Sequence, residues 1–198
     1  MKRCSWVKHG KIEEDYHDKE WGVPVYDDRL LFEFLVLEGA QAGLSWITIL
    51  KKRARYREVF DNFDVQKILR YDERKIEALL NDSGIIRNKR KILSVLINAK
   101  AFVEVQQEYG SFARYIWSFT DGKPIQNRWK RQEEIPAKTE ISEAMSKALK
   151  QRGFSFVGPT ICYSFMQAVG MVNDHTTDCF RHGEILKDKR TKDWIERR

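Results

Sequence analysis

Apolar residues in this chain recur every three or four positions over most of its length, and that period limits the fold more than any other feature. After Asp28, the residues Leu31, Phe32, Leu35, Val36 and Gly39 follow it, as the buried face of a helix requires. Trp46, Ile49, Leu50, Tyr56 and Phe60 carry a second stripe. Asp64 is placed to cap Val65–Arg70, and Asp72 to cap a helix through Leu80. Ile92, Leu96, Ala99, Phe102 and Val103 mark a longer helix to about Glu108, and Phe112, Tyr115, Ile116 and Phe119 a short one. Ser142 can start another that ends near Gly153, and Ile161–Val172 reads as a helix buried around most of its circumference. Convincing period-two alternation is absent, so the expectation is an all-α protein of about eight to ten helices. Thr120–Lys138, with Pro124 and Pro136 and no clear period, reads as a surface loop.

The 198 residues fit one domain, with no linker or repeat to divide them. An apolar fraction of 42% with six Trp, eleven Phe and seven Tyr is ample for a core. Thirty-six basic against 29 acidic residues leave a net charge of +7, which points to a polyanionic partner, nucleic acid first. An ordinary basic enzyme is the alternative. Three cysteines make no complete disulfide set, no apolar leader follows Met1, and no apolar run is long enough to span a bilayer. The expectation is a cytoplasmic protein without membrane contact.

Two of the three cysteines and two of the four histidines fall in two short segments near the chain ends: Cys4 with His17, and His175 with Cys179. The second pair is spaced i, i+4, which on a helix places both side chains on one face. Two thiolates and two imidazoles make a closed tetrahedral set for structural zinc and would tie the ends of the domain together. Four unrelated residues is the competing reading.

Other constellations point to nucleic acid. Leu79 to Ile92 looks like helix, tight turn, helix, with Gly84 supplying backbone freedom. The second helix starts with exposed amides, with Arg87, Lys89, Arg90 and Lys91 beside them and no acid from Gly84 to Lys100. Such an element holds a DNA backbone without reading sequence; the bland alternative is a solvated basic helix start. Ala144–Asn173 also lacks acids and clusters Lys147, Lys150 and Arg152, where a solvated helix face is the simpler reading. Glu38 is the lone acid in Leu35-Val36-Leu37-Glu38-Gly39-Ala40, and Tyr16, Trp21 and Trp46 could surround it. If buried, it must be hydrogen-bonded or shift toward its neutral form. Aromatic faces beside a carboxylate suit a flat cationic ring, while core tryptophans and a surface acid are the alternative. Between two helices, Gln41-Ala42-Gly43-Leu44-Ser45-Trp46 makes a compact loop with an apolar tip, either a plain turn or a wedge able to fill the space of an extruded base.

Taken together, these stretches resemble the bacterial 3-methyladenine DNA glycosylase I family. The resemblance covers about the first 180 residues. It rests on Arg3-Cys4-Ser5-Trp6, on Tyr16-His17-Asp18-Lys19-Glu20-Trp21-Gly22-Val23-Pro24, on Leu37 through Thr48, on Gly84-Ile85-Ile86-Arg87, on Arg152 through Ala168, and on Val172-Asn173-Asp174-His175. It implies a helix-hairpin-helix DNA glycosylase fold over residues 1–180, with the hairpin near 72–108 and a basic tail at 181–198. It implies a zinc ion on Cys4, His17, His175 and Cys179, and a damaged-base pocket of Glu38 with Tyr16, Trp46, Trp6 and Trp21. Gly43 and Leu44 would lie at the lesion, with phosphate contacts from Gly84, Arg87, Lys89, Arg90 and Lys91. The implied reaction is hydrolysis of the N-glycosidic bond of 3-methyladenine in double-stranded alkylated DNA by a monomer, with Glu38 as the catalytic residue. The superfamily's usual aspartate has no candidate in this chain. Most relatives of the hairpin carry two glycines and this one carries only Gly84, while the tail from Phe180, with seven basic and four acidic residues, matches no motif. Two other classes stand beside the enzyme: a damage-binding protein without turnover, and a zinc-stabilised helical binding module. Base release from methylated DNA separates them.

Overall fold

The computed structural model describes residues 1–190 and Trp194. Among them are ten α-helices, short 3-10 turns and one two-residue strand pair. The helices are α1 (Lys11–Lys19), α2 (Asp28–Gln41), α3 (Trp46–Val59), α4 (Val65–Ile68) and α5 (Glu73–Asn81), followed by α6 (Lys89–Tyr109), α7 (Phe112–Trp117), α8 (Glu140–Gln151), α9 (Pro159–Ala168) and α10 (Phe180–Leu186). Strand β1 (Ile125–Gln126) pairs in parallel with β2 (Val172–Asn173), Ile125 facing Val172 and Gln126 facing Asn173. No helix of the described residues is long and apolar enough to cross a membrane.

Helix α2 is the axis of the molecule. Every residue from Leu31 to Ala40 is buried, and α3, α6, α7 and α9 pack around it. A helix enclosed on all sides needs apolar residues around its whole circumference, which this one has apart from its glutamates. Asp28 at its start accepts hydrogen bonds from the Phe112 and Ala113 amides at 2.9 and 2.8 Å, fixing α7 against it.

The caps follow the sequence reading closely. The Asp64 carboxylate accepts from the Gln66 and Lys67 amides, and the Asp72 carboxylate from that of Lys75. Three expectations need correction. Thr139, not Ser142, caps α8; Ser142 is the other half of a capping box in which each hydroxyl accepts from the other residue's amide. Helix α9 stops at Ala168 because Gly170, at φ +71°, turns the chain where an added Cβ would lie 2.3 Å from the Val23 backbone; Val172 then belongs to β2. The segment 120–138 is more than a surface loop. It contributes β1, and its Asn127 and Trp129 side chains donate to the buried Asp174 at 2.6 and 2.8 Å. The tail begins as ordered structure: α10 buries Ile185 and His182, and His182 Nε2 lies 2.9 Å from the Asn127 carbonyl oxygen. The rest of the expected tail lies mostly outside the described residues.

Candidate active site and metal cluster

Helix α1, which the apolar periodicity does not announce, places two adjacent residues in two sites. Tyr16 faces a cleft and His17 faces a cluster of sulfur and nitrogen donors. The cleft holds about 180 Å³ and is lined by Trp6, Tyr16, Trp21, Glu38, Gln41, Trp46, Gln132, Ser164 and Gln167. Sites for drug-sized ligands run to ~300–1,000 Å³, so this one suits something as small as a single nucleobase. All five residues expected to form a base pocket are brought together.

The rings form its walls. Tyr16 and Trp46 lie 5.3 Å apart at 49°, and Trp6 meets Trp21 edge-on at 5.2 Å. Glu38 reaches the wall from α2. It is 3% exposed and makes no hydrogen bond or ion pair among the described residues, and burial alone pushes its carboxyl up to about 8. Burial likewise raises the Tyr16 phenol well above its usual range, so it stays a hydrogen-bond donor. The Trp6 and Trp46 ring N–H groups and the Gln132 Oε1 are enclosed without partners. Buried polar groups are rarely left so, and three of these in one small cleft, beside Glu38, define a surface built to receive a polar ring.

Gln132, Ser164 and Gln167 carry no sequence signal of their own. Gln132 comes from the segment with no period. Ser164 and Gln167 lie one turn apart on α9. The Gln167 amide donates to Asp174 at 2.8 Å, as does the Tyr163 hydroxyl at 2.7 Å. Together with Asn127 and Trp129 that gives Asp174 four donors. It is 1% exposed and enclosed by them, so it braces the cleft wall rather than offering a base.

Beside the cleft, Cys4, His17, His175 and Cys179 are all buried, with one donor atom from each within 4.8 Å of every other. Zinc bonds of about 2.3 Å to sulfur and 2.0–2.1 Å to nitrogen give a tetrahedral S···N edge of about 3.6 Å. The observed separations are 3.6 Å from Cys4 Sγ to His175 Nδ1, 3.6 Å from Cys179 Sγ to the same atom, and 3.4 Å from Cys179 Sγ to His17 Nε2. The donor set therefore fits such an ion. Each imidazole has its other nitrogen anchored, as metal-ligating histidines do. His17 Nδ1 lies 2.7 Å from Asp18 Oδ1, and His175 Nε2 lies 3.0 Å from the Trp21 carbonyl oxygen. Arg3 grips Asp18 and is the main reason its carboxyl falls to about 2. His175 and Cys179, though spaced i, i+4, do not share a helix. His175 lies on irregular chain, Thr176 to Cys179 form a turn closed by the Cys179 amide donating to the Thr176 carbonyl at 2.8 Å, and Cys179 immediately precedes α10. The cluster also supports the cleft: Trp21 stands edge-on to His175 at 4.6 Å, and Trp6 edge-on to His17 at 5.4 Å.

The loop between α2 and α3 presents its expected apolar tip. Gly43 turns at φ +79°, and Leu44 is 40% exposed. Gln41 and Trp46, on either side of the tip, line the cleft.

The hairpin between α5 and α6 differs from expectation at two residues. Gly84 is not in a left-handed conformation. An added Cβ would lie 2.5 Å from Arg55 Cγ, so it is the close approach of α3 that calls for glycine. Lys91 turns inward: its ammonium donates to the Ala40 and Ala42 carbonyls at 2.8 and 2.6 Å. Arg87, Lys89 and Arg90 are exposed and pair with no acid among the described residues. In the second basic stretch, Arg152 is committed to Glu108 at 2.7 Å and stacks on Tyr109 and Tyr115.

Residues 6–182 match the family model described as methyladenine glycosylase. A DNA-3-methyladenine glycosylase of Haemophilus influenzae is 50% identical over 177 residues, covering 89% of this chain and 96% of that protein. A crystal structure of 3-methyladenine DNA glycosylase I superposes with a TM-score of 0.88 at 52% identity, over 90% of this chain and 98% of the other. A single-residue variant of 3-methyladenine DNA glycosylase I, crystallised with 3-methyladenine, superposes with a TM-score of 0.87 at 34% identity, over 91% and 97%.

Proposed function

Given that the chain belongs to the methyladenine glycosylase family and is a hydrolase that excises 3-methyladenine from DNA, we propose that Glu38 is its catalytic residue and that the aromatic cleft holds the extruded base. The observation that carries this reading is a buried acid without a partner at the wall of a nucleobase-sized cleft. An isolated carboxylate there is costly in the empty protein. A purine made cationic by methylation at N3 supplies the missing partner, and its entry favours the ionised acid. Tyr16 and Trp46 stack on the ring, and Trp6 and Trp21 close the cleft behind it. Cationic ring against carboxylate is an attraction that undamaged adenine lacks, so charge discriminates between the two.

The chemistry asks little more of the protein. When the glycosidic bond breaks, its electron pair neutralises the cationic ring, so the leaving group needs no proton. Water adds to the sugar carbon and releases a proton, leaving an abasic site. A negative group beside the forming sugar cation lowers the barrier. The substrate is double-stranded alkylated DNA, bound by a monomer. Leu44 and Gly43 enter the duplex where the base leaves, and the α5–α6 hairpin, with Gly84 at its turn and Arg87, Lys89 and Arg90 exposed, holds the phosphates.

Cys4, His17, His175 and Cys179 hold a structural zinc ion. With four protein donors it offers no open position, and its part is to cross-link the chain ends and seat Trp6 and Trp21.

Release of 3-methyladenine from methylated duplex under single-turnover conditions tests the reading. Glu38→Gln and Glu38→Ala are expected to slow release by about 100-fold without loss of zinc or fold. Unchanged release by both variants removes Glu38 from the mechanism.

A further inference from the structure

We propose that Lys91 is a positioning residue that couples the DNA-gripping hairpin to the wedge loop, rather than a phosphate contact. Lys91 stands in the first turn of α6, where a basic residue ordinarily reaches for a phosphate. Its ammonium is instead bonded to the carbonyls of Ala40 and Ala42. Those are carbonyls at the end of α2, where intrahelical partners run out and a cation is favoured. They lie between Glu38 and the Gly43–Leu44 tip. One side chain of the hairpin thus holds the helix end that carries the acid and the loop that follows it.

The neighbouring contacts make the same connection. Lys52 of α3 donates to the Ser83 carbonyl in the hairpin turn at 2.6 Å. Arg55 pairs with Asp82 at 2.7 Å, and Asp82 accepts from the Gly84 amide at 2.7 Å. The Tyr56 hydroxyl accepts from the Ile86 amide at 3.2 Å. Lys52, Arg55 and Tyr56 tie α3 to the hairpin on one side of the wedge loop, and Lys91 ties α2 to it on the other. Partial burial lowers the Lys91 ammonium, as expected of an amine drawn out of solvent. The grip on the backbone and the wedge are therefore one rigid unit, and binding the phosphates in register sets where Leu44 and Glu38 arrive.

The inference rests on the excision reading above, and the test separates the two. In Lys91→Met, single-turnover release of 3-methyladenine from duplex DNA is expected to fall by about 10- to 100-fold, the scale of a small misplacement. The slope of log affinity against log salt for that duplex should stay at the unaltered protein's value. In Arg90→Met, which removes an exposed cation of the same turn, the slope should fall by about 0.9. Binding of free 3-methyladenine reports the cleft directly and should be unchanged in Lys91→Met. A fall in the Lys91→Met slope by about 0.9, or an undiminished rate of release, overturns the proposal. Should Lys91→Met not fold, Lys91→Gln, which retains a donor, is read by the same slope and rate. No release by the unaltered protein would be a failure of the excision reading instead.

Discussion

At the scale of single residues, the environment of Glu38 has a consequence beyond catalysis. Its carboxyl titrates near 8 in the folded protein because burial opposes charge, against about 4.5 for an ordinary glutamate. Between those values the unfolded chain loses the proton while the folded protein keeps it. Stability that is fully present below about pH 4.5 is therefore lost progressively up to about pH 8, after which the loss levels off. Glu38→Gln removes this dependence. Its unfolding free energy should match the parent's near pH 4.5 and exceed it increasingly toward pH 8, by on the order of a few kcal/mol, read by denaturant titration across that pH range. A parallel pH dependence in the two proteins would mean that Glu38 ionises normally. The gain in stability and the loss of activity from one substitution are two sides of the same arrangement: a group held ready for a cationic ligand is strained without it.

At the scale of elements, the hairpin shows how a correct motif can work by another route. The turn needs Gly84, but for the space it leaves to Arg55 rather than for a positive φ. Gly84→Ala would press a methyl group against Arg55 and should cost about 1–3 kcal/mol, read as a lower melting temperature. If Ala is tolerated without change, α3 and the hairpin have room to separate, and their coupling is looser than the distances indicate. A glycine needed for φ and one needed for space look alike in a sequence. Helix caps are legible because the capping side chain and the amides it accepts from lie within three residues. The inward turn of Lys91 is not, since its partners are some fifty positions earlier.

At the scale of the whole molecule, the buried cluster closes the chain on itself, joining residues 4 and 17 to residues 175 and 179. If zinc binds there, part of the folding free energy is metal-binding free energy. Cys179→Ser should drop bound zinc well below stoichiometric and lower the melting temperature, and a strong chelator should do the same to the parent. Since Trp6 and Trp21 rest on His17 and His175, affinity for free 3-methyladenine should fall with the metal. Full metal content in Cys179→Ser, with unaltered melting, would set the assignment aside.

Helix periods, caps, the lone acid of α2 and the paired Cys/His residues all belong to short stretches of chain. Local steric, hydrogen-bonding and ligand chemistry writes them into the sequence, so the helical class, Glu38 with Tyr16, Trp21 and Trp46 as its possible neighbours, and the four metal donors could be read from it, while Trp6 entered through the family resemblance. Tertiary packing decided the rest. It left Glu38 buried and unpaired, set His175 and Cys179 on irregular chain ahead of α10, brought Gln132 and Gln167 to the cleft, enclosed Asp174 and directed Lys91 inward. Each of these depends on groups far apart along the chain, and the energies that choose among such contacts are set by burial and exclusion of water, which exist only once the chain has folded.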